Sequence, residues 1–134
     1  MISTQAALIY AMVLVSAADQ DMSDAELRAI GEIVNYLPVF ADYDPRLLPN
    51  TAEACAEMLE MPDGLDKVLD LVRQSLPGKL RETAYALACD VAVADVEMNQ
   101  EKLRVLELIR HKLEIDRLVS AAIERGAVAR YRRV

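Results

Sequence analysis

The sequence predicts an all-α fold, a compact bundle of about seven helices, on three observations. Alanine and leucine dominate, while 134 residues include only four glycines and five prolines, a balance that favours helix over strand. Apolar residues recur at helical spacing in one segment after another. The chain also repeats itself: at an offset of 76 residues, Val15, Ala18, Asp19, Met22, Leu27, Arg28, Ile33 and Leu37 meet identical residues at Val91, Ala94, Asp95, Met98, Leu103, Arg104, Ile109 and Leu113, without a gap. Two copies are too few for a solenoid. They suit two helical hairpins related by a pseudo-twofold axis, spanning about residues 6–39 and 82–115 of a single domain, 1–134.

The elements follow in order. An apolar run from Ala6 to Ala18 forms a helix that ends at Asp19. Ser23 and Glu26 then make a capping box: the Ser23 hydroxyl accepts from the N–H of Glu26, whose carboxylate reaches back to the N–H of Ser23. Leu27, Ile30, Ile33 or Val34, and Leu37 form the apolar stripe of the next helix, which Pro38 terminates. Residues 40–50 are a loop with two prolines and a short helical turn near Pro45 to Leu48, and Asn50 or Thr51 starts a helix through Glu60. Leu65, Val68, Leu69, Val72 and Leu76 share one helix face up to the stop at Pro77-Gly78. Lys79 to Ala94 leads into the second acidic turn, Asn99 caps the helix bearing Leu103, Leu106, Ile109 and Leu113, and a last helix runs from about Asp116 to Arg130.

Charge and cysteine content narrow the function. A net charge of −7 repels phosphate backbones and disfavours nucleic acid as a partner. The C-terminal stretch runs against this sign: Arg125, Arg130, Arg132 and Arg133 fall within ten residues that hold no acid. Those arginines either complement a helix dipole or form a docking patch for an acidic partner or an anionic lipid surface. Cys55 and Cys89 lack CxxC spacing and read as buried free thiols of a reducing cytoplasm. The first apolar run has no preceding Lys or Arg and recurs deep in the chain, unlike a signal peptide. At thirteen residues it falls short of the roughly 20 that span a bilayer.

The acidic turns carry the candidate chemistry. Asp19, Asp21 and Ser23 match the first three ligand positions of an EF-hand, and Asp95, Glu97 and Asn99 match them more loosely. Asp24 or Gln100 stands where such a loop needs glycine, and Ile30 or Leu106 where it needs a bidentate glutamate, so the EF-hand is excluded. A different hard-cation site stays open. Helical side chains tilt toward the N-terminus, so Glu26 points back at Asp19 and Asp21. These three carboxylates form one candidate site for Ca²⁺ or Mg²⁺; Asp95 and Glu97 form a weaker second site, because Lys102 stands at the place equivalent to Glu26, or join the first if the pseudo-twofold axis brings the turns together. The competing reading is structural. Acids at helix starts are worth about 0.3–1 kcal/mol each through the dipole, and a capping box about 1 kcal/mol more. Glu26 cannot fully serve both roles.

Other chemistry is sparse. The single histidine, His111, reads as a surface residue near Glu107, and neither a glycine-rich phosphate loop nor a GxSxG elbow is present. The six methionines read as core fillers. These features point to a non-enzyme without an organic cofactor.

With Ala17-Ala18-Asp19, Asp21, Met22-Ser23 and Glu26-Leu27 in one turn, and Val93-Ala94-Asp95, Glu97 and Met98-Asn99 in the other, the chain resembles the TerB family of tellurite-resistance proteins over nearly its whole length. The resemblance implies an all-α domain of roughly seven helices with internal pseudo-symmetry, whose characteristic acids correspond to Asp19, Glu26 and Asp95. It further implies a cytoplasmic, non-enzymatic module of bacterial stress response, binding a divalent metal and working with membrane-associated stress-operon proteins. Gln20 and Val96 stand where glycine often follows each Asp in the family, and Lys102 replaces the second glutamate. Two functional readings stand side by side: a metal-binding stress-response domain, and a metal-independent interaction or scaffold module, monomeric or homodimeric, whose acids only cap helices.

Overall fold

Ten consecutive residues of α1 (Thr4–Ser16), from Ala7 to Ser16, are buried. A helix apolar on every side has no face to give to water, so the rest of the chain must wrap it. The computed structural model describes residues 1–20, 22–95 and 98–134. Around α1 it places α2 (Asp24–Tyr36), α3 (Leu48–Leu59), α4 (Gly64–Ser75), α5 (Arg81–Ala94), α6 (Gln100–Lys112) and α7 (Arg117–Arg130). Short 3₁₀ turns at Pro38–Phe40, Pro45–Leu47 and Gly78–Leu80 join them. The described residues thus form seven α-helices and no strand.

The second central element is α5, which packs lengthwise on α1 and carries α2, α6 and α7 on its other sides. Both central helices have fully buried alanines at four-residue spacing, Ala7 and Ala11 on α1, Ala84, Ala88 and Ala92 on α5. Small residues at this spacing let two enclosed helices approach closely. α3 and α4 cover the opposite side of α1 and pack on each other.

The expected caps are in place. Ser23 accepts from the N–H of Glu26 at 3.1 Å while Glu26 Oε1 accepts from the N–H of Ser23 at 3.1 Å. Asn99 Oδ1 accepts from the N–H of Lys102 at 2.9 Å. The helices that follow, Asp24–Tyr36 and Gln100–Lys112, have bounds displaced by the same 76 residues as the sequence repeat.

Three expectations need correction. α3 begins at Leu48 rather than at Asn50 or Thr51. Pro49 sits in its first turn, where the missing N–H costs no helical bond. Leu27 and Leu103 do not belong to the buried stripes, since they are 46% and 47% exposed. The inward faces run instead through Glu26, Ala29, Ile30, Ile33 and Val34 on α2, and through Lys102, Val105, Leu106 and Ile109 on α6. Of the methionines, Met12 is a core residue, whereas Met1, Met61 and Met98 are exposed; short helices leave their ends and turns, where these residues sit, outside the core.

Candidate functional site

The two acidic turns meet, and a lysine lies between them. Asp19 lies in the turn that follows α1, and Asn99, eighty positions later, donates from Nδ2 to Asp19 Oδ2 at 2.6 Å. One turn into α6, Lys102 directs its side chain inward, and its Nζ lies 2.6 Å from Glu26 Oε2. Glu26 is 0% exposed and Lys102 1%. The other carboxylate oxygen of Glu26 accepts from the Ser23 N–H and, at 3.4 Å, from the Ser16 hydroxyl. Residues from α1, α2, the turn before α2 and α6 therefore share one buried carboxylate.

Local chemistry explains the geometry. Glu26 is the third residue of α2, and the reach back to Ser23 turns it toward the α1–α2 turn and away from solvent. Asn99 performs the equivalent cap on α6, which sets Lys102 at the matching third position. Two side chains of opposite charge thus arrive at one buried point from equivalent places in the repeat. Burial alone would push the Lys102 ammonium down in pKa, but the hydrogen bond to Glu26 and the charges of Glu26, Asp19 and Asp95 outweigh it. The net direction is up, and Lys102 is a cation throughout the neutral range.

The sequence named Asp19, Asp21, Glu26, Asp95 and Glu97 as metal ligands. Asp21 and Glu97 lie outside the described residues. Asp19 and Asp95 are half-buried, and the charge of each favours the Lys102 ammonium. Glu26 does not fit a divalent site in this arrangement. Both of its oxygens have protein donors or the ammonium against them, and a divalent ion on Oε2 would have to displace Lys102 or sit against its positive charge. Among the described residues, no group of three or more His, Cys, Asp or Glu side chains is placed to hold a metal ion.

The remaining candidates are distributed. Arg130 pairs with Asp90 at 2.6 Å, and Arg133 donates to the carbonyl of Ala94 at 3.5 Å. Arg125 and Arg132 are exposed. His111 is exposed beside Glu107 at 3.9 Å. Burial pushes the thiols of Cys55 and Cys89 up to about 12, so neither is a thiolate at neutral pH. No helix among the described residues is long and apolar enough to cross a membrane.

Sequence reasoning treated Lys102 as a departure from symmetry rather than as the centre of the site. The available signal was the opposite charge at two positions 76 residues apart, each three residues after a cap. Among the described residues the structure defines an all-helical domain in which Asn99 ties the start of α6 to Asp19 and a buried Lys102 ammonium pairs with Glu26. No family model, no curated protein and no solved structure matches the chain.

Proposed function

We propose that the chain is a non-enzymatic, TerB-like domain of bacterial stress response that acts by docking protein partners. In this reading the Lys102 ammonium takes the place between the acidic turns that a divalent cation would otherwise fill. The observation that carries it is the buried contact between Lys102 Nζ and Glu26 Oε2 at 2.6 Å, with Asp19 and Asp95 close enough to act on the same charge. A lysine brings one positive charge to carboxylates that a metal would serve with two, and it is always present. The domain is then assembled without metal, and its partners meet a constitutive surface. Partners are cytoplasmic or membrane-associated stress proteins.

Three features support the TerB-like part. Helices α2 and α6 have equivalent bounds and caps. The two turns are joined by the Asn99–Asp19 hydrogen bond. Gln20, which stands where the family often has glycine, has φ 62°, the left-handed conformation that glycine adopts without strain. The test is genetic. Deleting the gene from its bacterial host should raise sensitivity to tellurite or a related oxyanion, and the wild-type gene should restore growth. Unchanged growth across such stresses would overturn the stress-response reading.

A further inference from the structure

A deep concavity lies between α6 and α7, with Asp95, Met98 and Leu103 at its edge. α6 and α7 both pack on α5 but hardly on each other, leaving a cavity of about 830 Å³ between them. Its floor is apolar and buried: Tyr85 and Cys89 from α5, Leu106 from α6 and Ala127 from α7. Its rim holds the part-exposed Met98, Leu103, Val128 and Tyr131. The volume falls within the ~300–1,000 Å³ typical of small-molecule sites.

The charges around it are even in number but unevenly placed. Six charged side chains line it: Asp95, Glu107, Glu124, Arg110, Arg132 and Arg133. Glu124 accepts from the Tyr85 hydroxyl at 2.6 Å, and Glu107 faces Arg104 and His111. Asp95 acts on the Lys102 ammonium. Arg110, Arg132 and Arg133 have no carboxylate at ion-pair distance among the described residues. Tyr85 is a neutral donor and leaves the Glu124 charge uncancelled, so three acids against three arginines make the lining formally neutral; two of the arginines without an ion pair, Arg132 and Arg133, adjoin one another.

The ends are distinguishable. Tyr85 contacts Glu124, Asp90 contacts Arg130, and Ala94 contacts Arg133, so α7 runs alongside α5 in the same direction. Arg132 and Arg133 therefore mark the end near the C-terminus of α5, where the exposed Met98 and Leu103 also lie. Tyr85 lies farther in, toward Arg110. An extended peptide here would bring amides that need partners. The floor offers only the Tyr85 hydroxyl, already donated to Glu124, and a weak thiol. A hydrocarbon chain needs none.

From the paired arginines at the open end and the apolar floor behind them, we infer that this cavity binds a free single-chain amphiphile with a carboxylate head, a fatty acid by chemical class. Arg132 and Arg133 hold the head through charge-assisted hydrogen bonds, and the chain lies over Cys89, Leu106 and Ala127. Cys89 takes no covalent part.

The test uses the full chain and dodecanoate below its micelle concentration, followed by calorimetry and ¹⁵N chemical shifts. Dodecanoate should bind once, with shifts confined to α5, α6 and α7, and dodecyltrimethylammonium should bind at least about tenfold more weakly. Val128→Trp, which fills the groove from an exposed position, should abolish binding. Arg132→Glu/Arg133→Glu should remove the preference for the anion while leaving the helical spectrum unchanged. Absence of binding, equal affinity for the cationic amphiphile, binding that survives Val128→Trp, or binding only to anionic phospholipid vesicles would overturn the proposal. So would a dimer, seen by sedimentation, that buries the groove and is broken by Val128→Trp.

Discussion

Lys102 Nζ lies 2.6 Å from Glu26 Oε2 with both side chains sealed from solvent. The two residues hold the same position, third in the helix after the cap, in the two copies of the repeat. Such a pair carries a large desolvation cost that its mutual attraction must offset, so its removal as a unit differs sharply from breaking it.

Lys102→Met should leave the Glu26 carboxylate buried with its ammonium gone, destabilising the fold by about 3–5 kcal/mol in urea unfolding. Glu26→Leu/Lys102→Met should recover most of that loss, falling within about 1–2 kcal/mol of wild type, the residue of it being the lost capping bond. A double variant as unstable as the sum of the single ones would mean that the pair is not coupled as described.

Asn99 has two separable jobs, capping α6 and tying it to Asp19. Asn99→Ser should keep the cap and lose the tie, whereas Asn99→Ala should lose both and cost about 1–2 kcal/mol. Equal thermal stability of the two variants would show that the cap contributes nothing, and an Asn99→Ser variant as stable as wild type would show the same of the contact to Asp19.

Gln20 is held at φ 62°, a conformation that costs an L-residue about 1–2 kcal/mol. Gln20→Gly should therefore leave stability unchanged or raise it by up to about 1 kcal/mol, despite glycine's greater freedom in the unfolded chain. A loss of stability would indicate that the Gln20 side chain makes up for the strain.

The thiols and Lys102 together make the fold sensitive to alkali. Cys55 and Cys89 are raised to about 12 in the folded state, against about 8.5 in an unfolded chain. A group raised on folding stabilises fully below its unfolded value and loses that contribution as pH rises toward the folded one. The urea midpoint should fall from about pH 8.5 upward, and Lys102, also raised, should add to the fall above about pH 10.4. At pH 8 the folded protein should react with a disulfide reagent only slowly, and both thiols promptly in urea. Fast reaction without denaturant would contradict their burial.

Much of the fold is legible locally. Composition and apolar spacing locate seven helices, and short-range chemistry at Ser23, Glu26 and Asn99 sets the starts of α2 and α6. The inward face is harder to read. Leu27 and Leu103 look like core positions by hydrophobicity, yet Ile30, Ile33 and Val34 are buried as expected while the capping reach of Glu26 puts a carboxylate in the first turn's inward place and leaves Leu27 exposed. The partner that makes this tolerable is 76 residues away, beyond any window of local pattern. The cavity is less legible still, because it depends on α6 and α7 diverging over α5 while Arg132 and Arg133 lie past the last helix. Arginines read from the sequence as one basic patch are in fact divided: Arg130 is paired with Asp90, and Arg125 is not part of the cavity lining.

The central claim is that an ammonium takes the part of a metal between the acidic turns. Its most direct test is a titration of Ca²⁺, Mg²⁺ and Mn²⁺ into ¹⁵N-labelled wild-type protein and Lys102→Glu at physiological salt. Wild type should show no saturable shifts at the turns up to millimolar metal. Lys102→Glu, in which two buried glutamates face each other, should be unstable alone and recover stability and turn-confined shifts on adding a divalent ion. Saturable shifts in the wild-type turns, abolished by Asp19→Asn, would contradict the account.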